Sequence, residues 1–187
     1  MHQPSARRKL VTETQLYLSA QRALMRRAHS IYEMKQHLER RAEDKSLVPQ
    51  VIARLRELNY LDDAKYALNY ASQHAKIRRQ GRFRIARELR TRGVPDRYIA
   101  AAFDAAFVET DETALVRARL KRRLALYKSK PGRDGGPPAE ALDRRKIASL
   151  YRNLMGAGFS SEIIRAELKR IANGALPDLP EVTEDES

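Results

Sequence analysis

This chain repeats itself, and the repeat constrains its fold more than any other feature. Met34-x3-Leu38, Ile85-x3-Leu89 and Leu150-x3-Leu154 can be laid over one another. The residues after each pair recur as well. Leu89 leads through Thr91-Arg92-Gly93-Val94-Pro95-Asp96 to Ile99-x3-Phe103, and Leu154 leads through Gly156-Ala157-Gly158-Phe159-Ser160-Ser161 to Ile164-x3-Leu168. In the first copy, Leu38 leads through a longer charged turn to Val51-x3-Leu55. An apolar i, i+4 pair, a turn and a second pair spell a short helix, a stop and another helix. One such unit cannot bury its apolar face alone, so the copies stack, and the product is a long surface rather than a pocket.

Residue by residue, the same pattern gives the elements. Thr12 or Thr14 caps a first helix whose stripe is Leu16, Ala20, Ala23, Leu24 and Ala28. Ser30 with Glu33 has the form of a capping box and opens a second helix, from about Ile31 to Arg41. Val48, Val51, Ile52, Leu55 and Leu58 line a third, with Pro49 tolerated in its first turn. Asp62 caps the next helix, which carries Tyr66, Ala67, Tyr70 and Ala71 and runs to about Arg79. Gly81 precedes the helix of Ile85 and Leu89, which stops at Gly93; Asp96 to Phe107 comes next, with Ile99, Ala102, Phe103, Ala106 and Phe107 as its apolar stripe. Asp111 caps a long helix, Glu112 to Lys128, that turns Leu115, Val116, Leu120, Leu124 and Tyr127 inward. Helices from about Glu140 to Met155 and from Ser161 to Ala172 close the series. The expected organisation is a flexible basic arm (1–11), three-helix modules at 12–61, 62–109 and 110–173, the last with a loop at 131–139, and a disordered acidic tail (174–187).

Chemistry of the catalytic kind finds few candidates. His2, His29, His37 and His74 fit no ligand spacing and read as surface or cap residues, and no HExxH, GxxxxGK[ST] or GxSxG element occurs. Asp62 and Asp63 are adjacent, so a helix points them apart, and capping already accounts for a carboxylate there. The absence of cysteine excludes thiolate sites and disulfides, and suits a reducing compartment. No apolar run approaches a membrane span. The expectation is a cytoplasmic protein that is not an enzyme and uses no cofactor or metal.

Charge points to a partner. The chain has 37 Lys and Arg against 24 Asp and Glu, a formal net charge of +13, and a field of that sign favours polyanions, nucleic acid first. Lys76, Arg78, Arg79, Arg82, Arg84 and Arg87, continued by Arg90 and Arg92, cluster around Gly81, while Arg117, Arg119, Lys121, Arg122 and Arg123 line the outer side of the long helix. Guanidinium forks suit phosphate, and neutralised phosphates release counterions. Phe83, alone among aromatics within the first cluster, reads as packing inward. The candidate contact is therefore with the phosphate backbone of single- or double-stranded DNA, without base reading. A helix-turn-helix reader fits less well, because Asp96 to Phe107 is apolar and acidic where a recognition helix displays Arg, Asn or Gln.

Three segments carry a family resemblance: Arg27-Ala28-His29-Ser30-Ile31-Tyr32-Glu33-Met34, then Tyr60-Leu61-Asp62-Asp63-Ala64-Lys65-Tyr66-Ala67, then Gly81-x3-Ile85-x2-Glu88-Leu89-x2-Arg92-Gly93-Val94. In this order and register they resemble the bacterial RecX regulatory proteins, over roughly Leu16 to Ile171. The resemblance implies an all-α, elongated, curved array of three tandem three-helix modules. It implies a protein that binds the RecA filament along its groove and inhibits it, lowering ATP hydrolysis, strand exchange and LexA cleavage; the expected state of the chain is a monomer. The motif residues themselves read as structural, with Ser30, Asp62 and Gly93 as caps and turns and Leu61, Ile85 and Leu89 as core, which leaves binding to the basic faces. Asn59 stands where the family has Gly, the Ala42 to Ser46 turn lacks a Gly, and Pro131 to Pro138 expands the third module. The alternative reading is a basic DNA-binding protein that acts through backbone contacts without RecA.

Overall fold

A computed structural model of the chain describes residues 9–107, 111–128 and 144–172. The loop expected at 131–139, the tail at 174–187 and most of the basic arm lie outside these. The protein is all-α. In chain order come α1 (Glu13–Leu24), α2 (Ile31–Glu39), a 3-10 turn (Lys45–Leu47), α3 (Val48–Glu57), α4 (Asp63–Lys76), α5 (Arg82–Thr91), α6 (Asp96–Ala106), α7 (Glu112–Lys128), α8 (Arg144–Gly156) and α9 (Ser161–Ile171). Among the described residues, extended pairing is limited to one isolated bridge, Leu10 with Ala42.

The chain divides into two compact units, one from Met1–Tyr70 with Arg87–Ala102, the other from Ala71–Ala86 with Phe103–Ser187. In the first, α1, α2 and α3 close over Leu16, Ala20, Met34, Leu38, Val51 and Leu55. In the second, α7, α8 and α9 close over Val116, Leu120, Leu150, Tyr151, Leu154, Ile164 and Leu168. Each of α4, α5 and α6 begins in one unit and ends in the other. The apolar repeat pairs lie at the buried positions of the fold: Met34, Leu38, Ile85, Leu89, Leu150 and Leu154 are all buried.

Caps form where short polar side chains stand before apolar runs. The Thr12 side chain accepts from Gln15 N–H, and Asp62 Oδ1 accepts from the N–H groups of Ala64 and Lys65. At Ser30 both halves of the capping box are made: Glu33 N–H donates to Ser30 Oγ, and Ser30 N–H donates to Glu33 Oε2. Helices end in left-handed residues, Gly93 at φ 72°, Gly158 at 82° and Asn59 at 58°, each succeeded by an N–H that reaches back to the helix, Val94 to Leu89, Phe159 to Leu154 and Tyr60 to Leu55. Asn59 thus performs the turn that Gly performs elsewhere in the series.

The strongest departures from expectation also have local causes. Ala28 is exposed because α1 stops at Leu24 and the next turn breaks the periodicity. Leu58 is 50% exposed because it caps α3 just before the left-handed turn, and Leu61, beyond that turn, enters the core instead. The helix expected to reach Arg79 ends at Lys76, with Arg79 in the left-handed region. His74, read as a surface residue, is buried, with its Nδ1 2.6 Å from Gln80 Oε1. Phe83, expected inside, is 42% exposed.

One joint occurs twice, once in each unit. In the first unit the N-terminus of α2 is seated on the segment that starts α4 and on the turn after α5. Ile31 N–H donates to Asp63 Oδ1, Ser30 Oγ donates to Arg92 O, and Tyr32 covers Gly93 so closely that a Cβ there would overlap its ring. In the second unit the N-terminus of α5 is seated likewise on α7 and the turn after α8. Arg82 N–H donates to Glu112 Oε1, Gly81 N–H donates to Ala157 O, and Phe83 N–H donates to Gly158 O. A Cβ at Gly158 would overlap Arg84, and one at Gly81 would overlap the Gly158 carbonyl. Superposing the apolar pairs aligns Ser30 with Gly81, Ile31 with Arg82, and Gly93 with Gly158, so equivalent positions meet in both joints, through the Ser30 hydroxyl in the first and the Gly81 N–H in the second. The acid in each joint is buried, and burial pushes both the Asp63 and the Glu112 carboxyl above the usual range despite the N–H each accepts. The corresponding turn after α2 meets the N-terminal segment: Leu10 N–H donates to Arg41 O, and Glu43 N–H donates to Leu10 O.

The first joint carries an ionic lock. Burial pushes the Glu33 carboxyl up, but hydrogen bonds from Arg27 and from Ser30 N–H, with the charges of Arg27 and Arg92, hold it below its ordinary value. Tyr66 donates to Glu33 Oε2 at 3.3 Å, and burial, reinforced by the nearby Glu33 charge, pushes its hydroxyl up to about 12. Arg92 pairs with Glu33 and lies over the ring of Tyr70, which in turn donates to Glu88 at 2.6 Å.

Candidate functional site

The basic residues singled out in the sequence separate into two groups once their partners are visible. Arg82 is part of the second joint, its Nε 3.2 Å from Glu112 Oε2 and its head over the ring of Phe107. Arg117 donates to Glu167 Oε1 at 2.8 Å, and Arg170 donates to the same carboxylate at 2.9 Å. Glu167 is buried, and the hydrogen bond from Arg117 holds its carboxyl below the ordinary value. Arg90 pairs with Asp96 and Arg92 with Glu33. Arg82, Arg117, Arg90 and Arg92 thus tie helices together. The acid that meets Arg117 comes from α9, 50 residues away in sequence, so local composition could not reveal it.

Other members of the set face outward. Lys76, Arg78 and Arg79 stand exposed where α4 ends, and Arg87 is exposed on α5. Lys121, Arg122 and Arg123 are exposed on α7, and among the described residues they have no ion-pair partner.

Within the second unit the two basic segments converge. Arg84, from the first, donates through Nη1 to Gly156 O at 3.2 Å. Arg119, from the second, donates through Nε to Asn153 Oδ1 at 3.1 Å. Asn153 and Gly156 lie one turn apart at the C-terminal end of α8, so both guanidiniums meet neutral acceptors there. Arg122 and Arg123 stand at i+3 and i+4 from Arg119 on α7. The proximity is visible in Arg119, whose pKa is lowered by burial first and then by the charges of Arg122, Arg123 and Arg84. The second joint sets this geometry, because Gly158 packed against Arg84 fixes where the α5 side chain leaves the backbone.

Arg119 stands with Arg122 and Arg123 on the basic face expected of α7, and it is the member of that face held against Asn153. The signal that finds it is its i, i+3, i+4 relation to Arg122 and Arg123. Like charges so gathered repel one another, and an anion relieves that repulsion; the arrangement presents planar donor forks to phosphate or carboxylate oxygens. The exposed Phe83 adds an aromatic at the start of α5, contrary to its expected inward packing.

The other features are weaker as chemistry. A groove of about 410 Å³ in the first unit is lined by Ile31, Ala53, Arg56, Glu57, Asn59, Leu61, Asp62 and Tyr98. Among the described residues no group of three or more His, Asp or Glu is arranged to hold a metal ion, and no described helix is long and apolar enough to cross a membrane. On α6, Ile99, Ala102 and Ala106 are buried, and past Arg97 the exposed positions are Ala100, Ala101, Asp104 and Ala105, none of which offers a donor to a base edge.

Known proteins resemble the chain as a whole. The family model described as RecX, second three-helix domain, matches residues 62–102. The chain is 35% identical over 148 residues to a regulatory protein RecX of Halorhodospira halophila, covering 79% of this chain and 83% of that one. It is 31% identical over 179 residues to a regulatory protein RecX of Deinococcus radiodurans, covering 94% of this chain and 79% of that one. The crystal structure of RecX from Lactobacillus salivarius superposes with a TM-score of 0.67 at 18% identity, over 86% of this chain and 96% of that one.

Proposed function

The chain belongs to the RecX family of regulatory proteins, and from that premise we propose that it is a regulator of the RecA recombinase, acting as a cytoplasmic monomer on the RecA filament assembled on DNA. It lies along the filament groove and lowers ATP hydrolysis, strand exchange and LexA cleavage. It performs no chemistry of its own and needs no cofactor. The three modules, 12–61, 62–109 and 110–173, present the surface that spans successive protomers, which is what a tandem array does best.

The observation that carries this reading is the guanidinium cluster of Arg84, Arg119, Arg122 and Arg123, in which Arg84 and Arg119 meet neutral acceptors at the end of α8, flanked by exposed Lys121. Such a cluster engages the phosphate backbone of single- or double-stranded DNA within the filament, or acidic side chains of RecA beside it, with no need to read bases. Lys76, Arg78 and Arg79 are further exposed cations of the same unit, and Arg87 is an exposed cation of the first. Arg82 and Arg117 contribute indirectly, by fixing α5 on α7 and α7 on α9.

The test is the ATPase of the RecA from the same source on single-stranded DNA, titrated with this protein at a salt concentration where its binding to bare DNA is negligible. Substoichiometric loss of hydrolysis, weakened about tenfold or more in an Arg122→Glu/Arg123→Glu variant, is the expected result. Unchanged hydrolysis would leave the RecA-independent DNA-binding protein as the better account.

A further inference from the structure

The charge on this chain is unevenly spread, and the imbalance identifies an occupant for the cluster. Five acids, Asp178, Glu181, Glu184, Asp185 and Glu186, come after Ala172 with no Lys, Arg or His among them. The rest of the chain therefore carries a larger positive excess than the net value states. Arg119, Arg122 and Arg123 meet no carboxylate among the described residues, and their helix is tied to α9 by Arg117 and Glu167.

We propose that the acidic stretch Asp178–Glu186 docks in cis on the cluster formed by Arg119, Arg122 and Arg123 with Arg84, and competes there with external polyanions. The inference rests on the proposed function in so far as the cluster is a polyanion site, but not on RecA. Reach permits it. The α9 helix ends at Ile171, only four residues beyond Glu167, so the chain leaves α9 within about 10 Å of the Arg117 pair at 1.5 Å per helical residue. About 12 residues separate Ala172 from Glu184, and a flexible linker of that length has a root-mean-square span of about 19 Å, which covers the distance back along α7 to Arg122 and Arg123. A segment tethered this closely is present at an effective concentration on the order of millimolar, so a weak, exposed carboxylate–guanidinium contact suffices to occupy the site for much of the time. The same weakness lets a polyphosphate backbone, with its higher charge density, displace it.

Because the chain has no cysteine, two can be introduced for a donor–acceptor dye pair, Thr183→Cys in the acidic stretch and Ala125→Cys one turn beyond Arg122 on the exposed side of α7. Energy transfer in the otherwise native chain is expected to be high at about 20 mM salt and to fall as the Debye length shrinks towards about 4 Å at 0.5 M. It is expected to be low at every salt concentration in a chain with Asp178→Asn, Glu181→Gln, Glu184→Gln, Asp185→Asn and Glu186→Gln, and equally low with Arg122→Glu/Arg123→Glu. The neutralised stretch should also tighten binding of inorganic polyphosphate about threefold or more at low salt. The proposal is overturned if native and neutralised chains give the same transfer at low salt, or if charge reversal at Arg122 and Arg123 leaves the transfer unchanged. Both readouts use this chain without RecA, so failure to regulate a filament leaves them standing, and their failure leaves the filament reading standing.

Discussion

Gly158 and Gly156 sit two residues apart and make opposite demands. Gly158 has φ 82° and is pressed against Arg84, whereas a Cβ at Gly156 would meet nothing within 4 Å. Gly158→Ala is expected to cost about 2 kcal/mol or more, from the left-handed backbone and the overlap together. Gly156→Ala should stay within about 0.5 kcal/mol, and urea midpoints of the two variants measure the contrast. Ser30, fully buried, both caps α2 and donates to Arg92 O, so Ser30→Ala should cost about 1 to 2 kcal/mol by the same assay. Acids in the first joint respond to pH with opposite signs. Glu33 has its pKa lowered in the folded state, so its contribution is present above the unfolded value and is lost as pH falls through the folded one. The cost of Glu33→Gln, measured as a urea midpoint, should therefore shrink between neutral pH and pH values below about 4. Asp63 has its pKa raised, so its contribution is present below the unfolded value and is lost as pH rises through the folded one. Asp63→Asn keeps an oxygen for Ile31 N–H, and its stability relative to the native chain should improve as pH rises through the carboxylate range.

At the scale of elements, most of the fold was legible. The apolar pairs located the second helices because those residues turn inward, and Ser30 and Asp62 located helix starts because capping is a local interaction. The rest depends on long-range contacts. The Leu58 side chain has the right spacing for the core, but a left-handed turn one residue later sends Leu61 there instead. His74 and Gln80 are ordinary polar residues in sequence and become a buried hydrogen-bonded pair only when the chain folds back after Lys76. Of the candidate site, the two basic segments were visible, but not that Arg82 and Arg117 are engaged by Glu112 and Glu167, nor that Arg84 and Arg119 meet at one end of α8. The division of labour among these arginines is itself testable. Arg122→Glu/Arg123→Glu, on an exposed face without ion pairs among the described residues, should change the urea midpoint by no more than about 0.5 kcal/mol equivalent, while Arg82→Glu, placed against Glu112, should lower it clearly.

At the scale of the whole molecule, the charge excess makes polyanion binding strongly dependent on salt. If Arg122 and Arg123 each neutralise one phosphate, their removal should reduce the slope of log affinity against log salt by about 1.4 to 1.8 units, a quantity read from titrations of labelled single-stranded DNA at several salt concentrations. The two joints, alike in geometry, differ in their material. The first is closed by side chains, Ser30, Glu33 and Arg92, each of which has near substitutes that would hold it a little more or a little less firmly. The second sets backbone against backbone at Gly81 and Gly158, where there is nothing smaller to exchange, and leaves its side-chain part to Arg82 and Glu112. Sequence drift can therefore retune the first mainly through Ser30, Glu33 and Arg92, whereas in the second only the Arg82 and Glu112 pair is open to adjustment by degrees.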